Sequence, residues 1–452
     1  MKIVVIGDGK VGRSIIENTV LEGHVVTAID TNPKNIEDLV NSYDIMGICG
    51  NGVNYQVQKS AGVDKADLVV AATVSDEVNI LACLVAKKLG AEATIARVRN
   101  FEYSNQTNIF QSDLGITMAF NPESAAADEI VKILNFPEAI RVDSFNNGRF
   151  NLVELSISNN SDLVGKSLIE IKNQYQLDLL VCAVLRDGEV YIPNGSFTLK
   201  AKDKIYVTSS TKAVLRTFLN KTGIIESKLK DVLIIGGGKI SAYLGAALVK
   251  NKYNVKIIEK DYEKCKALSS LLDQVEIIHG DGSDQNLLME EGLEQSDAIV
   301  CLTGSDEENI VISMFASLKN VKKIITKVNR APLAKLMDSV TEASIISPKE
   351  IVASKVVSYV RAYNNSRGSN VITLYKLVDG KVEALEFKAK EHKKLTNIPL
   401  KNLKLKKNIL IAGIVRNGEA IIPNGNDYIA VDDNVIVVST NPYLDDLMDI
   451  LE

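Results

Sequence analysis

Three glycines, Gly7, Gly9 and Gly12, stand directly behind the apolar run Ile3-Val4-Val5-Ile6, and together they suit the holding of a phosphate. In a strand, turn and helix start of this Gly-x-Gly-x-x-Gly type, the first glycine permits the tight turn. The second lets the backbone approach a pyrophosphate, and the third lets the following helix lie close to the sheet. The helix N-terminus adds N–H donors and a partial positive charge. A second apolar run, His24 to Ile29, ends in Asp30, 18 residues past Gly12, where a carboxylate suits ribose hydroxyls. An acid there repels a 2′-phosphate and so favours NAD(H) over NADP(H); ATP and ADP carry the same ribose, so the acid alone leaves both classes open.

The device recurs. Val232 to Ile235 leads into Gly236, Gly237 and Gly238, and Val255 to Ile258 leads into Glu259; the step from Gly7 to Gly236, from Gly9 to Gly238 and from Asp30 to Glu259 is 229 each time. Ser241 stands at the third glycine position of this copy and adds a side chain where helix and sheet pack closely. Gly280-Asp281-Gly282 follows Gly50-Asn51-Gly52 at a step of 230. Thr303-Gly304-Ser305-Asp306-Glu307-Glu308-Asn309 follows Thr73-Val74-Ser75-Asp76-Glu77-Val78-Asn79 at the same step. Thr73 and Thr303 sit at strand ends where a hydroxyl bonds ribose or phosphate, or serves only as a local cap. Ser75 and Ser305 read as helix N-caps, with Asp76-Glu77 and Asp306-Glu307 as first-turn acids favoured by the helix dipole. Arg97 closes a buried strand and can neutralise a phosphate bidentately, which its counterpart Lys327 cannot. Asn51 and Asp281 are either ligand-orienting groups or ordinary turn residues. Gly165-Lys166-Ser167 imitates the end of a P-loop, but Asn160 occupies the place of the required glycine; Ser167 with Glu170 reads as a capping box.

The elements that carry these residues alternate strand and helix. Pro33 opens a helix to about Ser42, Ile45 to Cys49 is a strand, Leu68 to Ala72 is a uniformly apolar strand, and Asp76 to Leu89 is a helix with Ile80, Leu81, Leu84, Val85 and Leu89 at core spacing. Thr94 to Val98 is the next strand, and a helix from Pro122 ends at Phe136-Pro137. The pattern predicts a Rossmann-like, doubly wound parallel α/β sheet with its ligand crevice at the strands' C-terminal ends. Short strands then follow over Asn151–Ile157, Leu179–Leu185, Val190–Pro193 and Lys204–Thr208, with Asp187-Gly188 as a hairpin turn, which predicts a small α+β domain. Arg416-Asn417-Gly418-Glu419 and Ile422-Pro423-Asn424-Gly425 repeat Arg186-Asp187-Gly188-Glu189 and Ile192-Pro193-Asn194-Gly195 at 230, so the two-domain unit is duplicated. Expected limits are 1–138 and 139–222 for the first unit and 230–366 and 367–452 for the second, with residues 223–230 as a linker.

A chain of 452 residues exceeds one ordinary core and predicts three or four domains. Its net charge of −5 argues against nucleic acid as a partner. The five cysteines, Cys49, Cys83, Cys182, Cys265 and Cys301, lack metal-ligand spacing and read as reduced core residues of a cytoplasmic protein; the histidines His24, His279 and His392 lie far apart in sequence. The first strand begins at the N-terminus, which excludes a signal peptide there, and no apolar run approaches the ~18 residues of a spanning helix. Direct membrane insertion is not expected, and any membrane role runs through a partner.

The duplicated glycine-fingerprint domain ending in an acid, the Thr-x-Ser-Asp-Glu-x-Asn stretch and the trailing small domain with Gly-Glu and Ile-Pro-Asn-Gly resemble the TrkA family over essentially the whole chain. These are cytoplasmic NAD-binding subunits of Trk potassium uptake systems, built from two tandem RCK units, each an N-terminal domain and a TrkA-C domain. The resemblance implies a peripheral subunit on the inner face of the plasma membrane. It would form a homodimeric or homotetrameric RCK ring beneath a membrane-embedded potassium-translocating subunit and gate it on nucleotide binding. It carries Gly7, Asp8, Gly9, Lys10, Val11, Asp30, Thr73, Val74 and Arg97 to the first site, and Gly238, Glu259, Asp281 and Gly282 to the second; Gly12, Gly236 and Thr303 join these from the turn and strand-end reading. The departures are Asn51 and Ser241. The small domains resemble modules that take a further ligand in the family, but no residue here identifies one.

Neither half carries a separate substrate domain with a His, Lys or Tyr proton donor near a nicotinamide position, so the expectation is a non-enzymatic sensor. The alternatives are the same gating role driven by ATP and ADP, and an NAD-dependent dehydrogenase.

Overall fold

The computed structural model describes residues 1–100, 103, 114–135, 139–145, 150–159, 161–209, 211–222, 229–340, 343–366, 371–378, 381–441 and 444–452. The expected helix break at Phe136-Pro137 and most of the expected linker, residues 223–228, lie outside them.

The first half opens with β1 (Lys2–Ile6), α1 (Lys10–Leu21), β2 (Val25–Asp30), α2 (Pro33–Ser42), β3 (Met46–Cys49), α3 (Tyr55–Ser60), β4 (Leu68–Ala71), α4 (Asp76–Leu89), β5 (Ala93–Arg97), β6 (Met118–Phe120) and α5 (Pro122–Asn135). The strands form one parallel sheet in the order β3-β2-β1-β4-β5-β6. Chain order reverses between β1 and β4, so the ligand crevice of a doubly wound sheet falls where both strands end. β4 is buried along its whole length, as a strand covered on both faces must be. The small elements follow as β7 (Ala139–Phe145), β8 (Phe150–Ser156), α6 (Leu168–Tyr175), β9 (Leu179–Arg186), β10 (Glu189–Tyr191), β11 (Lys204–Ser209) and α7 (Lys212–Lys221). They make an antiparallel sheet in the order β10-β9-β11-β8-β7. Asp187 and Gly188, both at positive φ, turn β9 into β10, and Ser167 with Glu170 forms a capping box on α6.

The second half repeats the order as β12 (Asp231–Ile235), α8 (Lys239–Lys250), β13 (Asn254–Glu259), α9 (Tyr262–Leu271), β14 (Val275–His279), α10 (Gln285–Glu290), β15 (Ala298–Cys301), α11 (Asp306–Leu318), β16 (Lys323–Lys327), α12 (Ala331–Val340), β17 (Ser344–Ile346) and α13 (Pro348–Ser366). Its small sheet comprises β18 (Val371–Leu377), β19 (Val382–Lys388), β20 (Ile409–Arg416), β21 (Glu419–Ile421) and β22 (Asn434–Ser439). Both sheets copy the strand orders of the first half.

The halves are joined by exchange. Helix α5 buries Ala126, Ile130, Ile133 and Leu134 in the core of the second parallel sheet, with Val232, Ile234, Leu244 and Leu248. Helix α13 reciprocates, burying Val352, Ala353, Val356 and Val360 beside Ile3, Val5, Ile15 and Ile16. A buried Val, Ile or Leu contributes roughly 1.5–3 kcal/mol, so each exchanged helix is a permanent part of the other half's core. The two small sheets also share a core, in which Phe145, Phe150 and Tyr206 meet Leu377, Val382 and Ile436. A Cβ on Gly413 would lie 2.0 Å from the Phe150 ring, which explains the glycine inside β20.

Two expectations need correction. Helix α4 packs Ile80 and Leu89 only partly buried against the core and leaves Leu81 48% exposed: its buried residues are Asp76, Asn79, Ala82, Cys83 and Ala86. Small side chains let this helix lie close on the sheet, and the larger ones flank or leave the contact. Cys49 is not a core residue but an exposed one at the end of β3; the other four cysteines are buried.

Candidate functional site

The turn after β1 is built by steric exclusion. Gly7 has φ +99°, and a Cβ on it would lie 2.9 Å from the Thr73 backbone nitrogen; one on Gly12 would lie 1.8 Å from the Gly7 carbonyl oxygen. Among the described residues a Cβ on Gly9 meets nothing within 4 Å, so this face of the turn is open to a ligand there. Val11 is buried beneath the turn, while Lys10 lines a cavity between the two halves.

Asp30, at the end of β2, accepts the Asp8 backbone N–H at 2.7 Å through Oδ2; its Oδ1 takes the Asn32 N–H at 2.8 Å and the Asn35 amide at 3.3 Å. The carboxylate is therefore fixed beside the phosphate turn. The Asp8 side chain is gripped by Arg13 through Nε and Nη2. This hydrogen-bonded pair raises the Arg13 pKa.

The opposite wall is set by a residue that sequence reasoning left without a role. Asn79, fully buried, accepts the Thr73 N–H at 2.8 Å and hydroxyl at 2.7 Å, and its amide donates to the Arg97 carbonyl at 2.9 Å. It thereby ties the end of β4 to the end of β5. The Thr73 hydroxyl is thus engaged locally, Ser75 caps α4 as expected, and Val74 is 80% exposed. Asp76 does more than complement the helix dipole: it accepts the Arg99 and Asn100 N–H groups at 2.8 and 2.7 Å and fixes the loop after β5. The recurrence of Asn79 and Asp76 as Asn309 and Asp306 is the signal that marks them. Arg97 lies 3.7 Å from Glu123, and among the described residues its buried Nε has no hydrogen-bond partner; burial lowers its pKa against the pull of Glu123.

The second crevice repeats the cradle and changes the side chains. Gly236 has φ +98°, and Glu259 accepts the Gly237 N–H at 2.6 Å and the Asp261 N–H at 2.8 Å. Ser241 is fully buried, and its hydroxyl donates to the Gly236 carbonyl, converting the missing glycine into an internal tie. Gly238, like Gly9, faces open space. Asn309 accepts the Thr303 N–H at 2.8 Å and donates to the Lys327 carbonyl at 3.0 Å. Lys327 turns its ammonium onto the Leu302 and Thr303 carbonyls; burial, with Lys10 nearby, lowers its pKa. Asp281 accepts the Ser283 N–H at 2.9 Å, as Asn51 accepts the Val53 N–H at 3.0 Å, so both serve as turn residues; these bonds hold the Asp281 pKa low. Gly52 and Gly282 are required by close packing: a Cβ would lie 2.1 Å from Ile6 Cγ2 or 2.3 Å from Ile235 Cγ2.

The structure thus gathers Gly7, Asp8, Gly9, Gly12, Asp30, Thr73 and Arg97 at one sheet edge and Gly236, Gly238, Glu259, Asp281, Gly282 and Thr303 at the other. Lys10, Arg13, Gly304, Asp306 and Arg330 line a cavity of about 450 Å3 between the edges. The residues present fit an adenine nucleotide: glycine at 7, 9, 236 and 238 keeps a Cβ out of each turn at those positions, each acid is held beside its turn, and among the described residues a buried guanidinium nitrogen of the first crevice lacks a partner. Among the described residues, no helix is long and apolar enough to cross a membrane.

Comparison with known proteins agrees with this architecture. The TrkA-N domain model matches residues 3–122 and 232–348, and the TrkA-C domain model matches 152–220 and 384–452. The chain is 31% identical over 438 residues to the Trk system potassium uptake protein TrkA homolog of Archaeoglobus fulgidus, covering 97% of each chain. It is 30% identical over 448 residues to the Trk system potassium uptake protein TrkA of Vibrio alginolyticus, covering 98% of this chain and 96% of that one. Among solved structures, the GsuK channel bound to NAD shares the fold at 15% identity, with a TM-score of 0.62 over 97% of this chain and 77% of that one. With tandem TrkA-N and TrkA-C segments over most of its length and near full-length relatives at this level of identity, the chain belongs to the TrkA family of Trk system potassium uptake proteins.

Proposed function

We propose that this chain is the regulatory subunit of a Trk-type potassium uptake system, that it binds NAD(H) in both crevices, and that it acts without catalysing a reaction. The observation that carries this reading is the pairing, found twice, of a side-chain-excluding turn with a carboxylate bonded to that turn's own N–H. A carboxylate has about four acceptor sites. Asp30 uses three and Glu259 two, so each keeps capacity for a ribose hydroxyl. Phosphates would lie over Gly9 and Gly238 at the N-termini of α1 and α8.

A bound nucleotide would act on the whole assembly because α1 and α8 are each packed on the other half's exchanged helix. Ser14 of α1 donates to Glu350 of α13 at 2.9 Å, and Tyr243 of α8 donates to the Arg99 carbonyl at 3.1 Å. Binding would bias two packings of these elements only by its differential affinity for them. The membrane-embedded potassium-translocating subunit would read that bias through a homo-oligomeric RCK ring on the cytoplasmic face.

Calorimetric titration of the full chain with NADH, NAD, ATP and ADP tests the reading. Saturable binding of NADH or NAD, without NADH consumption in the presence of candidate metabolites, is expected. Preference for ATP and ADP would transfer the same role to those nucleotides, and metabolite-dependent NADH turnover would return the chain to the dehydrogenases.

A further inference from the structure

The first phosphate turn contains an electrostatic anomaly. Asp8 brings a carboxylate to a turn meant for an anion, with its side chain only 1% exposed. Two unit charges of the same sign about 4–6 Å apart near a protein surface repel strongly enough to weaken binding roughly a hundred- to a thousandfold. The structure supplies a counter-charge in Arg13. This residue sits one turn into α1, where its N–H makes the first helical hydrogen bond, to the Gly9 carbonyl at 2.9 Å. From there the guanidinium reaches back to hold both Asp8 oxygens, using Nε and Nη2. The pair leaves Nη1 outside the clamp. Arg13 is 41% exposed and lines the cavity between the halves.

The second half provides the control. Gly237 stands in place of Asp8 and Ala242 in place of Arg13, so acid and arginine are present together in one turn and absent together from the other. An acid in the second turn would have to push side chains aside, since a Cβ on Gly237 would lie 2.6 Å from Leu268 Cδ1 and 2.9 Å from Glu259 Cβ.

We propose that Arg13 is a charge-compensating, positioning residue of the first nucleotide site, acting through Asp8 to make an acid-bearing turn accept the phosphates of an adenine nucleotide. This rests on the nucleotide-binding reading above. The role is separable from a contact in which Arg13 touches ligand directly, because compensation is needed only while Asp8 is present.

Hydrogen–deuterium exchange of the full chain against NADH concentration resolves the two turns, reading residues 7–13 for the first site and 236–242 for the second. In the wild type, protection of 7–13 gives the reference affinity. Arg13→Ala is expected to weaken it ten- to hundredfold while leaving 236–242 unchanged. Asp8→Ala is expected to tighten it severalfold, and Asp8→Ala/Arg13→Ala to regain most of the loss. Arg13→Lys, which keeps the charge, is expected to stay within about tenfold of wild type and covers the case in which Arg13→Ala does not fold. Wild-type affinity in Arg13→Ala, or a double variant as weak as Arg13→Ala, would overturn the proposal. Absence of NADH-dependent protection at 7–13 in the wild type would instead defeat the nucleotide reading and this proposal with it.

Discussion

The two halves share a backbone and differ in what their side chains have left to offer. At the ribose end the second crevice has the advantage, since Glu259 accepts two hydrogen bonds where Asp30 accepts three. At the phosphate end the first does, because Lys327 spends its ammonium on the Leu302 and Thr303 carbonyls whereas Arg97 keeps a buried Nε without a partner among the described residues. The far ends of the two equivalent helices diverge as well. Beyond α1, Glu22 joins Arg361 of α13 and Glu383 of β19 in a buried ion triad; beyond α8, the Tyr253 hydroxyl donates to the Leu134 carbonyl at 3.2 Å. Duplication has preserved the cradle and let the charges diverge, so the halves are equivalent as scaffolds and unequal as sensors.

The largest effect that would sharpen this contrast lies at the helix ends. Arg361→Met takes the arginine away from two buried carboxylates and is expected to destabilise the chain by about 3–5 kcal/mol, whereas Tyr253→Phe removes the hydrogen bond to the Leu134 carbonyl and costs about 1 kcal/mol. Equal losses in denaturant unfolding would break the asymmetry. Next come the turns. Gly12→Ala forces a methyl group against the Gly7 carbonyl and is expected to cost about 3 kcal/mol; Ser241→Ala gives up only its tie to Gly236, about 1 kcal/mol.

How much of this was legible beforehand depends on the kind of information. The cradle could be read because steric exclusion leaves glycine in the sequence, and the duplication because Gly7, Asp30 and Thr73 recur at a nearly constant step. Helix α5 could be seen as a helix but not as the property of the other half: an apolar face records that something covers it, not what. Helix α4 misled because Leu81 and Val85 are more apolar than Asn79 and Ala82, yet close packing on a sheet selects small residues. Arg13 was overlooked because nothing in a chain of letters shows that a guanidinium one helical turn away reaches back to Asp8.

Smaller effects concern the ligand. Asp30→Ala is expected to weaken binding at the first crevice by roughly 1–3 kcal/mol, the scale of lost charge-assisted hydrogen bonds, with residues 236–242 reporting no change. The smallest is a rate. Burial pushes the Cys83 and Cys301 thiols up to about 12, while Cys49 is exposed beside Gly50, where the second half has His279. A thiol reagent should modify Cys49 alone in the folded chain, and NADH should slow it; an unchanged rate under saturating NADH would remove the first crevice from the account.

Counting bound nucleotide is the most direct test of the claim that both crevices are sites. Equilibrium dialysis of the full chain against labelled NADH should give two nucleotides per chain, falling to one when either Asp30→Ala or Glu259→Ala is assayed at a concentration that saturates only the intact site. A chain that retains no adenine nucleotide, or one whose stoichiometry both substitutions leave untouched, would contradict it.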